Sequence, residues 1–228
     1  KRFDGTADTG SGNDLLKITG YQFDGTVNTG SGDDTLKITG NTFSSDTKIS
    51  AGDDNDQIIL KAKNFNGELN GDAGDDHITF KGKYSNGTIN GGEGNDTIDF
   101  RYSAFNGELN GDAGDDNISI KSSGFFGDVN GGDGIDTITI SVKNLTDGII
   151  SGGADNDIID ITAKSRLVTS AINGDEGNDT ITIGAKLFSG EVNGGDGLDT
   201  ITIDGKQFSG DVNGGEGNDT LVINAKLF

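Results

Sequence analysis

The chain has 228 residues, 40 of them glycine, no proline and a formal charge of −21. Cys, Met and Trp are absent, which excludes disulfides, Cys-ligated zinc or iron–sulfur centres and cysteine nucleophiles; the missing proline excludes a collagen-like chain. The acidic excess argues against nucleic acid and membrane insertion as modes of action, and no apolar run approaches the ~18 residues of a membrane span.

Lys1-Arg2-Phe3-Asp4-Gly5 lacks the order of a signal peptide, and a chain without Met is expected to be processed or to be a fragment of a longer array. Apolar residues make up only 30%. That figure, with the high charge, fits either a disordered chain or a repeat protein whose units each bury little.

A repeat is present from end to end. In chain order, hexapeptides 9–14 and 29–34 read TGSGxD, and 51–56 is a degenerate copy with Asp54 in place of its last glycine. Then 71–76 reads GDxGxD, 91–96 GGxGxD, 111–116 GDxGxD and 131–136 GGxGxD. Hexapeptide 152–157 is degenerate through Asp155, 174–179 reads GDxGxD, and 194–199 and 214–219 read GGxGxD. Their last aspartates are Asp14, Asp34, Asp56, Asp76, Asp96, Asp116, Asp136, Asp157, Asp179, Asp199 and Asp219, eleven repeats in all. Seven of the ten intervals are 20 residues and the others are 22, 21 and 22, so residues 1–228 read as a single repeat array.

Within a repeat the pattern has period two. Phe65 and Leu69 fall on one face, as do Ile78 and Phe80, while His77 and Thr79 fall on the other. Thr, Ile and Val enrichment favours strands. Each coil then offers only a few inward side chains, and coils must stack about 4.8 Å apart to bury them. Stacking predicts an aromatic column of Phe3, Phe23, Phe43, Phe65, Phe105, Phe125, Phe188, Phe208 and Phe228. It also predicts an aliphatic column running from Val27 through Leu69, Leu109 and Ile150 to Val212. The expected fold is an all-β, right-handed parallel β-roll or β-solenoid of about eleven coils.

The turns carry the chemistry. Glycine permits positive φ and inward-pointing carbonyls, and the fixed aspartate adds a charged oxygen. Such hard oxygen donors suit calcium. Without cations, Asp72, Asp75 and Asp76 beneath Glu93 and Asp96 would form an unfavourable acidic row. No nitrogen or sulfur donor recurs.

These turns resemble the RTX (hemolysin-type) calcium-binding repeats, G-G-x-G-x-D-x-U-x with U apolar. Asp96-Thr97-Ile98 and Asp136-Thr137-Ile138 match the second half of that motif. The resemblance implies Ca2+ between successive turns, held by the eleven aspartates and by loop carbonyls. The loop glycines are Gly91, Gly92 and Gly94; Gly131, Gly132 and Gly134; Gly194, Gly195 and Gly197; and Gly214, Gly215 and Gly217. The chain departs from that family by carrying one motif per ~20-residue coil, so calcium is expected along one edge only. About ten ions, one per gap, would nearly cancel the charge of −21.

The remaining features read as surface. His77 is a solvated strand residue, and Lys63, Lys83, Lys143, Lys164, Lys186, Lys206 and Lys226 either offset outward acids or form a carbohydrate-binding stripe. Thr137/Thr139, Thr180/Thr182 and Thr200/Thr202 form T-x-T pairs of the kind found in ice-binding solenoids. RTX-like ice-binding adhesins place their ice face at a turn Thr, where this chain has Glu93, Asp133, Asp196 and Glu216, with hydroxyls only at Ser11 and Ser31. Spacing irregularities near residues 44–48, 144–148 and 165–169 enlarge the opposite edge.

The function expected is a non-catalytic, calcium-dependent extracellular structural module of a surface filament, adhesin or matrix protein. Alternatives are the non-catalytic tail of a secreted enzyme or toxin and an ice-binding adhesin module. The resemblance further implies bacterial type I secretion. The matching phase of the two chain ends suggests head-to-tail self-association, with a cell-surface or matrix polysaccharide as the other candidate partner.

Overall fold

The computed structural model describes residues 1–168 and 171–227. Phe228 and Thr169, invoked above for the aromatic column and an enlarged edge, lie outside them. The described secondary structure comprises 22 β-strands. All the strand pairings among the described residues are parallel, so the chain is an all-β parallel solenoid.

One coil shows how the sequence builds the rest. After the turn aspartate Asp96, the strand Thr97–Phe105 alternates exposed or half-buried residues with buried ones. Ile98, Phe100, Tyr102 and Phe105 go inward, and Asp99, Arg101 and Ser103 go outward. A bend leads to Glu108–Ala113, whose Leu109 is inward and Asn110 outward. Each strand pairs with its counterparts in the coils before and after: Ile98 lies between Ile78 and Ile118, and Leu109 between Ile89 and Val129.

The inward residues form one continuous core. The predicted aliphatic column is present, with Leu69, Ile89, Leu109, Ile150, Ile172 and Val192 fully buried. The aromatic column is present with substitutions. Ser85 occupies the level between Phe65 and Phe105, and Leu145 and Leu167 those between Phe125 and Phe188. The small Ser85 leaves space that rings from the adjacent column fill. Phe80 packs edge-on against Phe65 at 5.0 Å, and Phe100 against Phe105 at 4.6 Å.

At the C-terminal end the two strands of a coil merge. Thr180–Asp196 and Thr200–Glu216 each run unbroken round the edge opposite the turns. Pairing there continues from Leu187–Gln207 to Gly190–Gly210, so the bend itself is hydrogen-bonded. Register slips occur between Val142 and Asn144 and between Ala163 and Arg166, where the repeats are longer. The turn aspartates thus remain aligned on one edge while the irregularities fall on the other.

Candidate site along the glycine turns

The hexapeptide turn takes positive φ at its second and fourth residues. In 91–96 these are Gly92 at 127° and Gly94 at 121°. Aspartate also takes this conformation, as Asp72, Asp112 and Asp175 at the second position and as Asp54 and Asp155 at the fourth. Asp tolerates the left-handed region better than most residues, so the two degenerate turns keep the same backbone path.

The first glycine is needed for another reason. A Cβ built on Gly91 would lie 2.2 Å from Asp96 Oδ2 and 2.6 Å from the Gly111 carbonyl oxygen. The bare Cα therefore opens a notch bordered by a carboxylate of its own coil and a carbonyl of the next. In the three N-terminal turns this position is Thr9, Thr29 or Ala51. There Thr9 Oγ1 donates to the Thr29 carbonyl at 2.9 Å, and Thr29 Oγ1 to the Ala51 carbonyl at 2.7 Å.

The last residue of each turn is the centre of the site. From Asp34 to Asp199 the turn aspartates are no more than 3% exposed. Each Oδ1 accepts the backbone N–H of the preceding turn aspartate. Asp76 N–H donates to Asp96 Oδ1 at 2.7 Å, and Asp136 N–H to Asp157 Oδ1 at 2.8 Å. The file runs unbroken from Asp14 to Asp219. The other oxygen, Oδ2, is buried without a hydrogen-bond partner in Asp14, Asp34, Asp56, Asp76, Asp96, Asp116, Asp136, Asp157, Asp179 and Asp199.

That burial has an electrostatic cost. Desolvation, with the neighbouring acids adding to it and the incoming N–H opposing it, pushes Asp76, Asp96, Asp116 and Asp157 up to about 7. The same balance takes Asp56, Asp136 and Asp179 to about 6, and Asp199 is raised for the same reason. A buried oxygen without a donor is normally avoided. Here it recurs at one position in ten coils.

A second file flanks the first and was not read from the sequence. The fifth residue of the turn is Asn or Asp in nine of eleven repeats, and in eight of them its Oδ1 accepts the N–H of the fifth residue of the next coil. Asn55 Oδ1 accepts from Asp75 at 2.6 Å and Asn95 Oδ1 from Asp115 at 2.7 Å. The two files point in opposite directions along the axis, one reaching back a coil and the other forward. Ile135 and Leu198 offer no such acceptor. The signal was visible as recurring Asn/Asp before the final aspartate. A third, amide file lies just before the turn: Asn90 Nδ2 donates to Asn70 Oδ1 at 2.6 Å, and Asn110 Nδ2 to Asn90 Oδ1 at 2.9 Å.

The donor chemistry fits a hard cation. No group of three or more His, Cys, Asp or Glu side chains converges among the described residues. Ten of the eleven coils bring one buried carboxylate oxygen, and backbone carbonyls, which Ca2+ accepts readily, would complete the shell. His77 is exposed on the strand face and takes no part in the turns.

Among solved structures, the chain is similar to one described as a hyperactive, Ca2+-dependent, beta-helical antifreeze protein from an Antarctic bacterium. The match has a TM-score of 0.70 and 28% sequence identity, and it covers 89% of this chain and 72% of that one. No protein-family model and no curated protein matches the chain.

Proposed function

We propose that this solenoid is a calcium-dependent structural module of the RTX-like kind, acting outside the cell as part of a filament, adhesin or matrix protein. The observation that carries the reading is the file of ten buried Oδ2 atoms without partners, seven of which, from Asp76 to Asp199, border a notch that also holds a carbonyl of the next coil. Calcium dependence of the similar antifreeze protein supports it. In this reading the eleven turn aspartates and the carbonyls of turns such as 91–96 and 131–136 hold about ten ions along one edge, one per gap.

The role is mechanical and non-catalytic. Where calcium is scarce the acidic file repels itself and the array loosens; where calcium is abundant, binding to the folded state alone adds stability by mass action. The test is far-UV circular dichroism during a calcium titration, with stoichiometry from calorimetry. A cooperative gain of β-signal with roughly ten ions per chain supports the reading. Full β-structure in excess chelator overturns it.

A second reading, ice binding, has one specific support besides the neighbour: Thr180 and Thr182 stand in register with Thr200 and Thr202 on an outward face. Against it, the corresponding turn position of this chain carries exposed acids such as Glu93 and Asp133. A thermal hysteresis assay in calcium decides it, with no hysteresis removing this reading and leaving the first intact.

A further inference from the structure

The cations of this acidic chain are gathered on one strand face. Thirteen of the 17 Lys and Arg residues fall at the third, fifth or seventh residue after a turn aspartate, the others being Lys1, Arg2, Lys48 and Arg166. Alternation sends these three positions outward: in Thr97–Phe105 the fifth and seventh are both exposed. Only three acids, Asp99, Asp160 and Asp204, share those positions. A face of positive excess thus sits on a molecule of −21.

From the third coil to the eleventh every coil contributes a cation. Lys61, Lys81, Arg101 and Lys121 stand in direct register at the fifth position. Where the seventh position is Ser103 or Ser123, the fifth is Arg101 or Lys121. Beyond them Lys143, Lys164, Lys186, Lys206 and Lys226 continue the row at the seventh position, all exposed. At one coil per ~4.8 Å the row runs about 38 Å parallel to the axis.

Little in the chain neutralises this row. Among the described residues, Arg101 is its one member in an ion pair, with Asp99 at 3.5 Å; the remaining pairs join Arg2 to Asp4 and Asp24, and Lys48 to Glu68. Lys83 rests over the Tyr84 ring at 5.1 Å. Like charges opposite one another on neighbouring strands are destabilising, and the solenoid holds them at fixed spacing. A linear anion with a matching repeat removes that repulsion.

We infer that this row binds a linear acidic polysaccharide, a polyuronate with one carboxylate on each sugar, laid along the solenoid axis. Its charge repeat is of the same order as the coil rise, so successive carboxylates meet successive cations along Lys61–Lys121 and, after a sideways step of two residues, along Lys143–Lys226. Hydroxyls and amides beside the row, such as Ser103, Ser123 and Gln207, suit sugar hydroxyls. Acid files on the rest of the coil confine the approach to a thin chain and repel a bilayer or a duplex. Among the described residues no succession of exposed aromatic rings is present to stack the bases of a single-stranded nucleic acid. The inference is independent of the calcium reading, because these strand positions take no part in the turns.

The experiment measures binding of the full chain to polymannuronate by calorimetry at low and moderate NaCl, in calcium, with circular dichroism confirming the folded state. The controls are neutral dextran, hyaluronan (one carboxylate per two sugars), poly(dT) and phosphatidylserine vesicles. The expected result is salt-sensitive binding to polymannuronate, weaker binding to hyaluronan and none to dextran. The exposed triple variant K81E/R101E/K121E should lose about tenfold or more in affinity, and its log–log salt slope should fall by about 2. The double variant K186E/K206E, far from the first on the same row, should weaken binding in the same sense, whereas K81R should not. No binding above dextran, unchanged affinity in both charge-reversal variants, or equal or tighter binding to poly(dT) or the vesicles overturns the assignment. Calcium-independent folding would defeat the calcium reading while leaving this measurement valid.

Discussion

The backbone N–H of Asp96 donates to Oδ1 of Asp116 at 2.7 Å, while Oδ2 of the same Asp116 carboxylate is buried without a partner. One oxygen ties the turn to the coil before it. The other has no hydrogen-bond partner and is the oxygen to which the proposed function assigns the cation. The two roles can be separated by mutation.

Asp116→Asn retains an oxygen for the Asp96 N–H and removes the buried charge; Asp116→Ala removes both. In chelator, the Asn variant should unfold at a temperature about 2–4 °C above the parent, for a relief of about 1 kcal/mol. The Ala variant should be destabilised by about 1–3 kcal/mol through the orphaned N–H. In calcium both should fall below the parent, having lost one carboxylate donor. Thermal unfolding followed by circular dichroism in the two buffers reads all four cases.

The raised carboxyls give a pH dependence of definite sign. Asp76, Asp96 and Asp116 titrate near 7 in the folded state and near 4 when unfolded. The folded state therefore binds more protons, so metal-free stability is greatest below about 4 and falls as pH rises towards 7. On the proposed calcium binding the trend should reverse, since the ion would compete with those protons and its affinity would weaken below about pH 6. Chemical denaturation at pH 4, 6 and 8, with chelator and with calcium, should give opposite slopes.

Two glycines test the backbone argument. Gly132 has φ 124°, and a Cβ there would lie 1.9 Å from the Asp112 carbonyl oxygen. Gly132→Ala should cost about 1–3 kcal/mol or more. Gly184 has ordinary φ and meets nothing nearer than 3.9 Å. Gly184→Ala should be neutral or stabilising by about 0.5 kcal/mol through the unfolded chain. Equal destabilisation of the two would contradict the turn geometry.

Tyr102 tests the core. Its Oη donates to the Ala62 carbonyl two coils away at 2.8 Å, passing over Gly82. Tyr102→Phe should cost about 0.5–1.5 kcal/mol and leave calcium affinity unchanged. Gly82→Ala should cost more, because a Cβ there would meet both the Ala62 carbonyl oxygen and Tyr102 Oη within 2.3 Å.

Much of this was legible because the repeat is written into the chain eleven times. Period two placed Ile78 and Phe80 inside and His77 outside, and that is where they lie in the fold. The aspartate column followed from the 20-residue interval. The Ser85 level was not legible in the same way. Its surroundings depend on Phe80 and Phe100 leaning across from another column against Phe65 and Phe105, and no single repeat encodes that. The fifth-residue Asn/Asp file was present in the letters, but its function depends on which coil its side chain reaches.

By itself, then, the sequence determined the coil length, the inward and outward faces and the edge on which the acids collect, because each is a property of one repeat copied along the chain. Only the tertiary structure decided which carboxylate oxygen of Asp116 is bonded and which is bare. It also decided that the flanking files point in opposite directions and that Lys81, Arg101 and Lys121 stand in one row. These are relations between coils, set by the register in which one repeat lies on the next, and hydrogen bonding between stacked backbones fixes that register only when the chain is folded.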